Sequence, residues 1–406
     1  MNLLRRVDRW WFGEDSPVAL GVFRILMGAL AFVNLAMISI DFDAWFTERG
    51  FVPIRVVPIY IGTDPRLNVL SGVADARVTL AVYLAIMLAA LLTTFGLWTR
   101  ISSIALAVGY VSLHHRNPLI LHGGDLVLRI SLMYLALAPC GKACSVDRLI
   151  GLWRGKVTGS PPDVSLWVQR LLQFQIALLY FTNVWHKMRG HYWREGIATW
   201  YPLHLNEFDR FWFPEALAEN RLFLAMTTYG TLVVWFAMGT LVFYKPFRKW
   251  ILLGAVGVHA FIDYAMNIPL FGFLMIATFV NFYDGEEVSG WARRVGERLS
   301  RLRLKVRLPA GAELSPRGAN LLRALDPFGL VEYVPGDSPE WRAETSGGKP
   351  TNPFVGSYLR CLGAWWFGWI PGLWPALLRR ACEKASDQVS EVPPDVAVEA
   401  AGGGER

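Results

Sequence analysis

Charge is scarce in this chain. Of its 406 residues only 18% are Asp, Glu, Lys or Arg, while 53% are hydrophobic and 14% aromatic, and the mean hydropathy is +0.33. An ordinary soluble domain carries about a quarter of its residues as charges and under half as apolar side chains, so the composition excludes that class and predicts an integral membrane protein. Cysteine is scarce too. Cys140, Cys144, Cys361 and Cys382 are too few for a disulfide framework, and nothing beside the Cys140/Cys144 turn completes a metal-ligand set. A signal-peptide cleavage site is missing after the first apolar stretch, which is also too long for a secretory signal; it is expected to remain as a first span. No internal repeat is visible.

What is present is apolar runs separated by short polar turns. About 20 apolar residues cross a bilayer as helix. Eight segments qualify in whole or part: Pro17–Ile40, Val78–Leu97, Ile101–His114, Asp125–Ala138, Ser165–Trp185, Arg221–Tyr244, Trp250–Tyr264 and Ile268–Tyr283. The expected fold is all-α, a polytopic bundle of about eight transmembrane helices. With the N-terminus inside, Arg5, Arg6, Arg9, Arg100, Lys142, Arg148, Arg154, Lys156, Lys245, Arg248 and Lys249 fall on the interior side, as the positive-inside rule requires. Both ends are then interior, in a plasma membrane or a bacterial inner membrane. The net charge of +7 lies in short patches between apolar stretches and in the C-terminal tail, a pattern that suits anionic lipid headgroups rather than nucleic acid.

The expected organisation is a bundle over 1–285, a basic interfacial helix over 286–308, a loop over 309–352, a Trp-rich interfacial hairpin over 353–385 and a disordered tail over 386–406. "WARRVGERLSRLRLKVRL" carries arginines on one side and Trp291, Val295, Leu299 and Leu302 near helical spacing, which suits the headgroup layer; a solvated basic helix is the alternative. "YLRCLGAWWFGWIPGLWPALLRR" is long enough to span, but spanning would carry Arg379 and Arg380 outside, so an interfacial hairpin is preferred.

Ionisable groups at membrane depth are expensive and mark function or bundle-fixing pairs. Arg24 and Arg129 lie in the first and fourth segments, with pairing to a carboxylate such as Asp125 or Asp263 as the structural alternative. His259 and Asp263, one turn apart, can form an acid/base pair or an interhelical hydrogen bond. In "HHRNPLILHGGDLVLR" Asp125 can cap the following helix, and the spacing of His114, His115 and His122 fits no standard metal pattern. "YFTNVWHKMRGHYWREG" crowds cations and aromatics where the fifth segment ends. Lys187, following Tyr180, Phe181 and Trp185, is placed where desolvation lowers an ammonium pKa, so that it can serve as a base; a snorkelling interfacial lysine is the plain alternative. His186 and His191 add polar partners, and Trp185, Tyr192, Trp193, Trp200 and Tyr201 would line a site between helices.

The order of these landmarks resembles the horizontally transferred transmembrane (HTTM) domain, the family that includes the vitamin K-dependent gamma-carboxylase. Phe23-Arg24, an exterior "WFTERGFVP", "RNPLILHGGDLVLR", "SVDRL" and "YFTNVWHKMRGHYWREG" carry the resemblance over roughly residues 14–285. In the carboxylase a lysine just after the fifth span deprotonates vitamin K hydroquinone. The oxygenated quinol then removes a proton from glutamate, and carbon dioxide adds. The resemblance lays that lysine on Lys187. It lays the carboxylase histidine that precedes the fourth span on Gly124, with His122 and Asp125 as the nearest polar residues. The carboxylase also has a large exterior domain for its protein substrate, whereas here about 120 residues follow the bundle and the topology puts them inside.

Three functions remain open on these grounds. The first is an enzyme with Lys187 as general base on a reduced quinone, such as vitamin K hydroquinone, or another small lipophilic substrate, with His122, Asp125, Trp185, His186, His191, Tyr192, Trp193 and Trp200 contributing to binding. The second is a non-catalytic protein of the same fold that binds or transports lipid or quinone. The third, peptidyl-glutamate carboxylation, is weakened by Gly124 and by the short tail. No metal or nucleic acid is expected; membrane lipid is, and a protein partner is left open.

Overall fold

The computed structural model describes residues 3–62, 66–157, 159–205, 210–361 and 373–384. The chain is mostly helical and divides into two compact units, one of residues 1–147 and 161–288, the other of residues 148–160 and 289–406.

Among the described residues the first unit is mainly helical, with a two-residue pairing of β1 (Glu14–Asp15) with β2 (Val164–Ser165). After the amphipathic α1 (Leu3–Phe12) come α2 (Val18–Ile38), α3 (Ala76–Phe95), α4 (Thr99–Arg116), α5 (Gly123–Leu137), then α6 (Val146–Trp153), most of which belongs to the second unit, and α7 (Trp167–Arg189), α8 (Arg221–Thr240), α9 (Lys245–Ala265) and α10 (Phe271–Thr278). Each of the eight apolar segments is thus helix. Val18–Phe46, Ala76–Phe95 and Arg221–Thr240 are long and apolar enough to cross a membrane.

Their outer faces show what surrounds them. On α3, Leu80, Leu84 and Leu88 form an exposed stripe at four-residue spacing, while Thr79, Tyr83 and Thr93 are buried. On α8, Leu222, Met226, Tyr229, Val233 and Phe236 form a second exposed stripe, and Thr228 is buried. Water does not stabilise apolar stripes of that length, whereas hydrocarbon does. Inside, one core cluster joins α2 to α5 through Phe23, Met27, Tyr83, Tyr110, Leu128 and Leu132. A second joins α5 and α7 to α10 through Val127, Ile176, Tyr180, Trp235, Leu252 and Phe279.

Close packing of α2 on α3 depends on Gly28, where a Cβ would meet Thr94 Oγ1 at 2.6 Å. The turn from α3 to α4 needs Gly96 at φ +68°, and a Cβ there would strike Arg24 and Ser145.

The second unit departs from the all-α expectation. Residues 309–352, expected as loop, contribute most of a small α/β structure. A four-stranded sheet has the order β5 (Val331–Val334), β3 (Leu304–Arg307), β6 (Arg342–Thr345), β7 (Pro350–Thr351), with β3 parallel to β5 and antiparallel to β6. A two-stranded pair, β4 (Ala312–Leu314) with β8 (Cys382–Lys384), lies beside it in the chain order. The parallel pair β3/β5 is connected through α12 (Pro316–Leu325). The expected basic helix ends early: α11 covers Gly285–Arg298, and β3 begins at Leu304. There Leu304 and Val306 are buried and Lys305 is exposed, the two-residue alternation of a strand. Gly, Pro and Ser in 309–352 are its turns.

The Trp-rich hairpin is also revised where it is described. α13 (Pro353–Arg360) and α14 (Leu373–Ala381) bury Trp374, Leu378 and Cys361 in one core with Leu149, Leu152, Leu321 and Leu325. The Trp374 indole donates to Ser357 Oγ at 2.9 Å. The remainder of the hairpin and the expected disordered tail lie outside the described residues.

Candidate functional site

Most of the sequence landmarks turn out to staple the first unit. Arg24, expected to pair with a carboxylate, instead donates to backbone carbonyls: Cys140 at 2.8 Å, Cys144 at 2.5 Å, Ala143 at 3.3 Å and Thr94 at 3.5 Å. Its planar fork spreads one charge over several carbonyls of one turn. Asp147 completes the turn by accepting from the Trp98 and Thr99 amides and from Thr99 Oγ1, at 2.7–2.8 Å. At the other ends of these helices Arg116, 1% exposed, donates to Val52 O at 2.7 Å and Phe46 O at 3.1 Å. Asn117 Nδ2 donates to Trp45 O at 2.8 Å. "WFTERGFVP" and "RNPL" are therefore two halves of one docking contact.

Asp125 caps α5 as expected. Its Oδ2 accepts from the His122 amide at 3.1 Å, and His122 Nδ1 accepts from the Gly124 amide at 3.0 Å. The carboxylate also joins a buried cluster, accepting from Asn34 Nδ2 and from Tyr110 Oη, each at 3.2 Å. His114, stacked edge-on to Tyr110 at 4.5 Å, is buried with Nδ1 unpartnered among the described residues. Arg129 is half-buried on α5, and no pairing with Asp125 or Asp263 is formed. At position 124 a Cβ would meet the His122 ring at 2.6 Å, so His122 fills the space in which a side chain at 124 would start.

His259 and Asp263 do not pair with each other. His259 Nε2 shares a hydrogen bond of 2.7 Å with Tyr180 Oη, and Asp263 Oδ1 holds Arg210 at 2.9 Å. The one-turn spacing is real, but each group has a nearer partner on another segment. His259 Nδ1 is buried and unpartnered among the described residues.

Lys187 is different. It stands in the last turn of α7, two residues beyond Trp185, half-buried, with Nζ 4.0 Å from the Trp193 ring centroid and 4.9 Å from that of Trp235. Among the described residues no carboxylate pairs with it. Burial lowers its pKa from the usual lysine range to about 8, because the charged form loses hydration. The two indole faces favour the ammonium and oppose part of that shift.

Of the other expected site residues, only Trp193 touches this amine. Trp185 carries Arg189 at 5.1 Å instead, and His191 pairs with Glu195 at 3.0 Å. Tyr192 and Trp200 gather around Tyr201 at 4.3 and 5.3 Å. His186 is exposed. His122 and Asp125 belong to the cluster on α5. Phe271 lies between that helix and His259, 3.8 Å from a Cβ built on Gly123 and 5.5 Å from the imidazole.

Two residues of the site were not legible as such. Tyr180 is two helical turns before Lys187, and its i, i+7 spacing is a usable signal. Trp235 comes from α8, and nothing in its local sequence marks it.

The HTTM domain model matches residues 12–286. The chain belongs to the HTTM-domain family. No curated protein and no solved structure matches it. The matched range holds every landmark described above, from Arg24 to Lys187, and ends two residues before the first unit does. Among the described residues of this HTTM domain no group of three His, Cys, Asp or Glu side chains could hold a metal ion.

Proposed function

We propose that this HTTM-domain protein is a multi-pass membrane enzyme in which Lys187 is the general base for a reduced, quinone-like lipid substrate such as vitamin K hydroquinone. The eight apolar segments are then spans with both chain ends inside, and Lys187 stands two residues beyond the fifth, which ends at Trp185. The observation that carries it is the setting of Lys187: an amine held against two indoles, without a carboxylate partner among the described residues, while Arg24 and Arg116 are committed to backbone carbonyls. A pKa of about 8 leaves on the order of a tenth of the amine neutral at pH 7, and that form accepts a proton. Removing it from a hydroquinone breaks an O–H bond and leaves an electron-rich phenolate, the form that dioxygen oxidises. Aromatic side chains around the amine suit a flat, apolar ring.

Peptide carboxylation is not part of the proposal, since no imidazole stands at position 124. A second reading has one observation in its favour. The indole faces over Lys187 stabilise its ammonium, which suits a protein that holds a lipid or quinone without converting it. The variants separate the two readings. In purified protein supplied with vitamin K hydroquinone, Lys187→Ala abolishes oxygen-dependent conversion to quinone or epoxide with the protein still folded. Lys187→Arg does not restore it, because a guanidinium stays charged. Full turnover in either variant refutes the base; binding without turnover in the wild type supports the second reading.

A further inference from the structure

The core cluster beneath Lys187 leaves two polar atoms unsatisfied. Trp235 Nε1 and His259 Nδ1 are both buried, and neither has a hydrogen-bond partner among the described residues. Their side chains are 9% and 0% exposed. Buried N–H groups are nearly always paired, and one left without a partner is costly. Trp193 and Trp235 both lie against the Lys187 amine, but only Trp235 has a buried nitrogen left without a partner. One indole face carries Lys187 Nζ, and Tyr180 packs edge-on at 5.9 Å. The N–H itself projects in the ring plane, so the Lys187 contact over the face does not consume it. The Lys187 amine lies 4.9 Å from the centre of the same indole whose N–H is left without a partner among the described residues.

We propose that Trp235 selects the substrate of the Lys187 site by donating its indole hydrogen bond to a ring oxygen of the substrate head. The inference rests on the reading of Lys187 as a base and adds the recognition chemistry: a planar aromatic or quinonoid head with an oxygen acceptor, rather than a hydrocarbon or a simple acyl chain. A site built around a donor discriminates strongly against ligands that leave the donor unpaired. Trp235 is a specificity-determining residue in this account, and Lys187 remains the group that takes the proton.

The experiment uses the full chain in lipid nanodiscs, kept anaerobic so that binding is separated from turnover. The probe is 2-methyl-1,4-naphthohydroquinone, and binding is read by equilibrium dialysis. Trp235→Phe keeps an aromatic ring and removes the donor; its dissociation constant is expected to rise about tenfold, the loss typical of one hydrogen bond. The second readout is the indole N–H spectrum of protein labelled at its 18 tryptophans. The signal that disappears in Trp235→Phe is expected to move downfield when the probe is added to the wild type. Wild-type binding with equal affinity in the variant, or a Trp235 signal that does not move, overturns this inference alone. Absence of binding by the wild type overturns the quinol reading and this inference with it. A variant that fails to insert leaves the wild-type indole shift, assigned by selective labelling, as the deciding readout.

Discussion

Arg24 shows how a full charge is kept within an apolar helix packing. The guanidinium is stabilised by three carbonyls between Cys140 and Cys144, and removing it deprives all three of a buried donor. Arg24→Leu is expected to cost about 3 kcal/mol or more, seen as a lower Tm in detergent. Arg24→Lys recovers only part of this, since one ammonium cannot reach the same spread of acceptors. Lys187 is the opposite case, an amine without an anchoring anion. Its folded pKa of about 8 lies below the unfolded lysine value of about 10.4. Between these limits the unfolded chain binds more protons than the folded one, so stability rises with pH across that window and is lower on the acid side. Relative to Lys187→Met, the wild type is expected to gain Tm between pH 8 and pH 10 and to show no further relative change below pH 7. A pH-independent difference would show that the amine is not desolvated.

Elements meet through the sequence landmarks rather than beside them. Phe23-Arg24 grips the turn before "SVDRL", and "RNPL" grips "WFTERGFVP". Gly96 belongs to the first of these contacts, at φ +68° with Arg24 and Ser145 where a Cβ would go. Gly96→Ala is expected to lower Tm more than Gly257→Ala, a helical position with open space beside it. The eight helices were legible because each contains an apolar run bounded by polar turns. The capping of α5 by Asp125 was legible from local chemistry. The partner of Arg24 was not, because backbone carbonyls 116–120 residues away leave no mark in composition. The same limit hid Trp235, and it split His259 from Asp263. β3 was not legible for another reason: "LKVRL" is short, basic and continuous with an amphipathic helix, so its two-residue period is hidden by a helical one, while the Gly, Pro and Ser content of 309–352 makes the strands that follow read as loop.

The molecule as a whole combines an HTTM domain with a second α/β unit. Membrane character was legible from composition and is visible again in the exposed leucine stripe of α3. Three helices meet the length and apolarity of a span; α4, α5, α7, α9 and α10 are shorter or more polar, which is why the count of eight belongs to the proposal. Topology tests it directly. A reporter fused after Asp284 is expected to read as interior, and one inserted at Thr63 as exterior. The reverse pattern would move Lys187 to the interior side and break the correspondence with the family's lysine.

The measurement closest to the central claim is the pH dependence of oxygen-dependent vitamin K hydroquinone oxidation by the purified protein, with Lys187→Ala run alongside to subtract the uncatalysed rate. The account predicts a protein-dependent rate that rises with pH to a plateau, with a midpoint near 8, and that is absent from the variant. Equal rates in wild type and Lys187→Ala at every pH would contradict it.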